Sequence, residues 1–197
     1  ITGTNKVRGV SLTAAGATLA NLTVTDCYGS YMHADSGFSG VRLEVGTVMS
    51  NCVVRNCTAT GTGPEGAGVC AVDGRIYDSV ISNCTGGSAC YVGGPSALMV
   101  RTFVCGNKSS GATAGDGYIP LGTGVIIDGG EVRDSVIAGN EAKNSSWSKV
   151  YAQESMSASG VLIYSGKLVN CTVVGNTFTM SASQVETYAG LAGAVAN

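Results

Sequence analysis

GVRLEVGTVMSNCVVRNCTAT at residues 40–60 and GVCAVDGRIYDSVISNCT at residues 68–85 carry one pattern twice. Each opens on Gly-Val, alternates apolar and polar residues for a few positions, turns, and runs through a second short β-branched segment to Asn-Cys-Thr. Working outward, the opening returns as GVSLTAAG from Gly9, GVIIDGG from Gly124 and GVLIYSG from Gly160, with SACYVGG from Ser88 as a weaker copy. The second segment returns as NLTVTD from Asn21, DSVISN from Asp78, RTFVCGN from Arg101, DSVIAGN from Asp134 and NCTVVGN from Asn170. Both parts have the period of two that belongs to strands. The expected inward sets are Val41, Leu43 and Val45, or Val125 and Ile127, in the openings. In the second segments they are Cys52 and Val54, Ser79 and Ile81, Thr102 and Val104, Ser135 and Ile137, and Cys171 and Val173.

Six copies of a two-strand phrase at uneven spacing describe stacked coils with connections of different length. The predicted fold is all-β, a right-handed parallel β-helix (solenoid) of about six coils with essentially no helix. No window keeps apolar residues at helical spacing, and valine, threonine and glycine are poor in helix interiors. A β-sandwich also has many short strands, but it does not require one phrase to recur. Thirty glycines against three prolines and 12% charged residues suit tightly wound strands and turns. A net charge of −2 without a basic cluster disfavours nucleic acid as a partner. No run of 18 apolar residues predicts a membrane span. Residues 1–197 read as a single β-helix segment. Because AGLAGAVAN resembles the start of a further repeat, the expectation is an excerpt of a longer chain.

The Gly-Val openings followed by VVRN, VISN, FVCGN, VIAGN and VVGN resemble the GGA[ILV] and FxxN repeats of polymorphic-membrane-protein-like autotransporter passengers and related bacterial surface or secreted β-helix proteins. The resemblance covers nearly the whole chain. It implies a cell-surface or secreted solenoid, in a group that includes adhesins, stalks and carbohydrate-active enzymes. In this chain the paired glycine is usually single, and phenylalanine occurs in the second segment only at Phe103.

Several repeated residues have structural explanations. Asp26, Asn56, Asn83, Asn107, Asn140 and Asn176 close the second segments and are expected to stack as one ladder of side-chain hydrogen bonds. Burial there would block glycosylation at the sequons beginning at Asn56, Asn83, Asn107 and Asn170; Asn21 and Asn144 begin two more. Cys27, Cys57 and Cys84 each follow a closing residue, while Cys70 and Cys90 are read as sharing one place in the opening strand. Stacking leaves two alternatives for these five, disulfides or a column of thiols used as small apolar residues. Their spacings are not those of a metal site, and His33 is the only histidine, so no metal centre is predicted.

Chemistry, if present, is expected in the long connections. Acidic residues fall there at Asp35, Glu65, Asp116, Glu141, Glu154 and Glu186, and aromatic rings at Tyr118, Trp147 and Tyr151. Asp116, Tyr118, Trp147, Tyr151 and Glu154 form the candidate ligand-binding set. A carboxylate pair 5 to 10 Å apart could cleave a glycosidic bond. Calcium is the one cofactor that the loop oxygens leave open. No catalytic set repeats or converges, so the favoured function is an extracellular structural or adhesive module: a surface stalk, passenger or filament segment. Its expected partners are glycans or a host or cell surface, with self-association through open coil ends. The alternative is a polysaccharide lyase or glycoside hydrolase with its site in the long loops.

Overall fold

The computed structural model describes residues 1–30, 38–60, 66–109, 121–144, 157–180 and 195–196. Every strand pair among them is parallel, and the chain advances as a coil with four short strands per turn. The opening row is in register from Val10 through Val41, Val69, Cys90, Val125 and Val161 to Val195. The second row runs from Thr18–Ala20 through Val48–Ser50, Arg75–Tyr77 and Leu98–Val100. It continues into the far ends of the long strands Val125–Arg133 and Val161–Val169. The third row comprises Thr23–Thr25, Val53–Arg55, Val80–Ser82, Phe103–Cys105, Val136–Ala138 and Thr172–Val174. A fourth row pairs Tyr28–Ser30 with Thr58–Thr60 and Glu141–Asn144 with Thr177–Met180. Single bridges through Thr85 and Lys108 connect these two pairs.

The second, third and fourth rows follow a fixed five-residue step. Thr18, Thr23 and Tyr28 lead the three strands in the first coil, as Val48, Val53 and Thr58 do in the next. Three residues are extended, the fourth turns the chain, and the fifth points inward. The turning residue is left-handed in all cases. After the second row it is Asn21, Asn51, Asp78, Arg101, Asp134 or Asn170, and after the third row Asp26, Asn56, Asn83, Gly106, Gly139 or Gly175, with φ between 48° and 64°. Asparagine, aspartate and glycine tolerate that region, whereas Arg101 accepts a strained backbone there.

Length variation falls between the fourth row and the next opening, as the repeat spacing implied. The distance from Val69 to its register partner Cys90 is only 21 residues, and from Val125 to Val161 it is 36. The segments 31–37, 61–65, 110–120, 145–156 and 181–194 occupy that connection and lie outside the described residues.

The tube is filled by Val24, Val54, Ile81, Val104 and Ile137 of the third row, facing Val41, Leu43, Val69, Val125 and Ile127 of the opening row and Met49, Ile76 and Met99 of the second. Each such side chain withdrawn from water contributes about 1.5–3 kcal/mol. Val45 is not part of this set. The chain has turned at Glu44–Gly46, and Val45 is 60% exposed. The glycine before each opening valine also points inward. A methyl group on Gly40 would lie 2.3 Å from the Gly68 carbonyl oxygen and 2.7 Å from Val54 Cγ1. The Gly-Val signature thus records how closely the opening row approaches the third row.

A second, smaller core lies outside the tube. Ile126 and Leu162 alternate with the inward residues yet are fully buried, packed with Ala158 and Tyr91. The short parallel pair Leu121–Gly122 and Ser157–Ala158 leads into the strands that carry them. The uninterrupted apolar runs VII and VLI, in place of strict alternation, are the sequence sign of a sheet covered on both faces.

Gly40→Ala is expected to destabilise the fold by about 1–3 kcal/mol in urea denaturation, because backbone and a branched side chain occupy the new methyl position. Gly139→Asn, at a left-handed turn with nothing within 4 Å, is expected to change stability by less than about 1 kcal/mol.

Candidate functional site

The closing residues form two columns instead of one. Third-row register places Val80, Phe103, Val136 and Thr172 at one level. Gly106, Gly139 and Gly175 therefore stand where Asp26, Asn56 and Asn83 stand in the lower coils, and Asn107, Asn140 and Asn176 fall one position later, above Cys27, Cys57 and Cys84. This corrects the single six-membered ladder. The reason is the invariant five-residue step: an inserted-looking glycine takes the left-handed turn and pushes asparagine inward. The signal was present in the sequence, since Asn56 is two residues past inward Val54 while Asn107 is three past Val104.

The upper column is a buried amide ladder. Asn107 Nδ2 donates to Asn140 Oδ1 at 2.8 Å and to the Ile81 carbonyl at 3.2 Å, and its backbone N–H reaches the same Asn140 oxygen. Asn140 repeats this with Asn176 Oδ1 and the Val104 carbonyl. The handover occurs at Cys84, whose N–H donates to Asn107 Oδ1 at 2.9 Å. Below it, the thiols of Cys27, Cys57 and Cys84 each donate to the carbonyl two residues earlier. Desolvation, then the neighbouring Cys57, pushes the Cys27 thiol up to about 11. All eight cysteines are free thiols. Cys70 and Cys90 do not share a place: Cys90 aligns with Val69 and Val125, and Cys70 with Arg42 and Tyr91, so they point to opposite faces. Ala89, and not Ser88, is the counterpart of Gly68.

Asn56 and Asn83 are exposed, as are Asn21 and Asn170, so burial blocks only the Asn107 sequon among these five. The turns after the second row carry an exposed ladder that the sequence reading missed. Asn51 Nδ2 donates to Asn21 Oδ1, Arg101 clasps Asp78 through Nε and Nη2 at 2.6 and 2.9 Å, and Asn170 Nδ2 donates to Asp134 Oδ1. The Arg101 guanidinium holds the Asp78 carboxyl below the usual carboxylate range. The inward residues beside this ladder hydrogen-bond as well: Cys52 N–H donates to Ser79 Oγ, and Thr102 N–H to Ser135 Oγ.

At the corner following the opening row, Asp128 accepts from Tyr91 Oη at 3.1 Å and from Ser165 Oγ at 3.2 Å, linking three coils. Tyr164 lies beside it, and its phenol is pushed up to about 12 by desolvation and then by the Asp128 charge. The outward side of the third row presents Thr23, Val53, Val80, Phe103, Val136 and Thr172 in register. Phe103 is 41% exposed and Val136 36%.

The candidate ligand set Asp116, Tyr118, Trp147, Tyr151 and Glu154 lies outside the described residues, as do Asp35, Glu65, Glu186 and His33. The ends of the two segments that carry the set are placed. Lys108 bridges to Glu141 on the side where the segments leave, and Leu121 pairs with Ser157 on the side where they return. Segments 110–120 and 145–156 therefore spring from adjacent coils at both ends. Among the described residues no group of three or more histidine, cysteine or acidic side chains is placed to hold a metal ion, and no helix is long and apolar enough to cross a membrane.

Parallel coils, an interior amide ladder and left-handed turns at fixed steps define a right-handed parallel β-helix. The family described as right-handed beta helix region matches residues 8–193, and the chain belongs to it. No curated protein and no solved structure shows significant similarity to the chain.

Asn140→Ala removes both side-chain donors and the shared acceptor of a buried ladder rung and is expected to destabilise by about 2–5 kcal/mol, whereas exposed Asn56→Gly should stay within about 0.5 kcal/mol. Chemical denaturation of the two variants measures the contrast. Asp78 has a depressed folded-state value, so its contribution to stability is present above the unfolded carboxylate range and is lost as pH falls through the folded value. In Arg101→Gly, the Asp78 titration followed by NMR is expected to move back up.

Proposed function

We propose that this segment is an extracellular structural or adhesive module, a stiff passenger or stalk whose working part is its outer surface. The observation that supports this most directly is the use of the repeated polar residues. Asn21 with Asn51, Asp78 with Arg101, Asp134 with Asn170, and Asn107 with Asn140 and Asn176 all bond from coil to coil. What the third row presents outward is a flat, nearly uncharged stripe in which Arg55 is the only charged side chain. Such a surface suits contact with a glycan layer or a cell surface. Repeated structural positions and variable loops are the usual division of labour in solenoids, with recognition carried by the loops.

A second reading, a carbohydrate-active enzyme of the lyase or hydrolase type, draws on the adjacent anchoring of segments 110–120 and 145–156. Those segments carry two carboxylates and three aromatic side chains from the candidate set. Stacked connections on one side of a β-helix are suited to an elongated polymer, and calcium is the cofactor their oxygens could recruit.

The two readings separate in one experiment. Purified protein is incubated, with and without calcium, with polygalacturonate, xylan, mannan and chitin, and new chain ends and retention on the immobilised polymers are measured together. The structural or adhesive reading expects retention without new ends. Chain cleavage that disappears in Asp116→Asn or Glu154→Gln replaces it with the enzymatic one.

A further inference from the structure

Eight cysteines are distributed through the coils, and the register decides which of them stack on another cysteine. Cys52 lies between Leu22 and Ser79, and Cys171 lies over Ser135. Cys105 lies between Ser82 and Ala138. Cys90 lies between Val69 and Val125, and Cys70 between Arg42 and Tyr91. Only Cys27, Cys57 and Cys84 form a column. The N–H of Thr58 donates to the Cys27 carbonyl and that of Thr85 to the Cys57 carbonyl, each at 2.8 Å, which fixes the three at consecutive strand levels.

Neighbouring levels in a parallel sheet are about 4.8 Å apart, inside the roughly 4.4–6.8 Å Cα range of disulfides, while levels two apart are beyond about 7 Å. The side of the column facing the opening row is lined by Gly9, Gly40 and Gly68. A methyl group on any of them would come within 3.0–3.2 Å of Cys27, Cys57 or Cys84 Sγ respectively. With no methyl there, that side of the column is left open to the sulfurs. That matters because side chains stacked in register start somewhat farther apart than the ideal Cβ separation.

We propose that this protein can hold one disulfide and only one, that Cys57 is always a member of it, and that either Cys27 or Cys84 supplies the other sulfur, making the column a redox-sensitive staple between neighbouring coils. In the forming step, the thiols of Cys57 and one neighbour give up two protons and two electrons to a small-molecule disulfide such as glutathione disulfide, which leaves as two thiols. The remaining thiol sits next to the new bond. As a thiolate it can attack the Cys57 sulfur, expel the first partner as a thiolate and move the staple by one coil without net oxidation. Where Cys27 is the remaining thiol, burial pushes it up to about 11, which makes its thiolate scarce at neutral pH and the exchange slow.

Refolding the reduced, denatured chain in a glutathione redox buffer removes the question of oxidant access. Free thiols are then alkylated, and the folded fraction is mapped by mass spectrometry without reduction. The expected result is one intramolecular disulfide and six alkylated cysteines of the eight, with Cys57 linked to Cys27 in some molecules and to Cys84 in others. Cys27→Ser and Cys84→Ser each keep one disulfide, and Cys57→Ser has none. Eight alkylated cysteines in the folded wild-type protein, or a bridge that excludes Cys57, would overturn the proposal, and the wild-type map alone decides this if a variant does not fold.

Discussion

Everything in this molecule depends on parallel backbone pairing between successive coils. Strands of the inner coils donate and accept along both edges, so each of their residues is placed directly above and below its counterparts in neighbouring coils. A side chain is therefore chosen for its column as well as for its own position. Valine and isoleucine stack in the tube, glycine lines the closest approach, and the corners carry residues that accept a left-handed backbone.

The corners show how one backbone requirement admits different chemistry. At the inward position after the third row, the lower coils use thiols and the upper coils use amides. Both fill a small space beside the glycine of the opening row, and both satisfy a neighbouring carbonyl. The amide does more: Asn107 and Asn140 each accept from the preceding coil through Oδ1 and donate to the next coil through Nδ2 and the backbone N–H. The thiol column gives up that cross-coil bonding and in exchange sets three sulfurs in line.

Length variation is kept apart from this framework. The rows are constrained by pairing to their neighbours and admit little variation, while the connection before each opening strand ranges from almost nothing at Gly86–Gly87 to the fourteen residues of 181–194. The adjacency of the residues that flank segments 110–120 and 145–156, Lys108 with Glu141 and Leu121 with Ser157, follows from coil stacking, even though these residues are far apart in the chain. The outward stripe around Phe103 follows from the same geometry.

Much of the architecture was legible in the residues themselves. Period-two alternation, Gly-Val openings and recurring second segments determine parallel coils, and the equivalence of Cys52, Ser79, Thr102, Ser135 and Cys171 could be read directly, because these features are local. What only the tertiary structure decided was register to the single residue. Asn107 sits above Cys84 and not above Asn83, Cys90 faces Val69 and not Cys70, and Val45 turns out of the core. The second core at Ile126 and Leu162 belongs to the same group. A one-residue shift leaves local composition nearly unchanged, yet it reverses the face on which a strand residue lies. That choice is made by hydrogen bonds to coils some thirty residues away and by what packs against the sheet from outside.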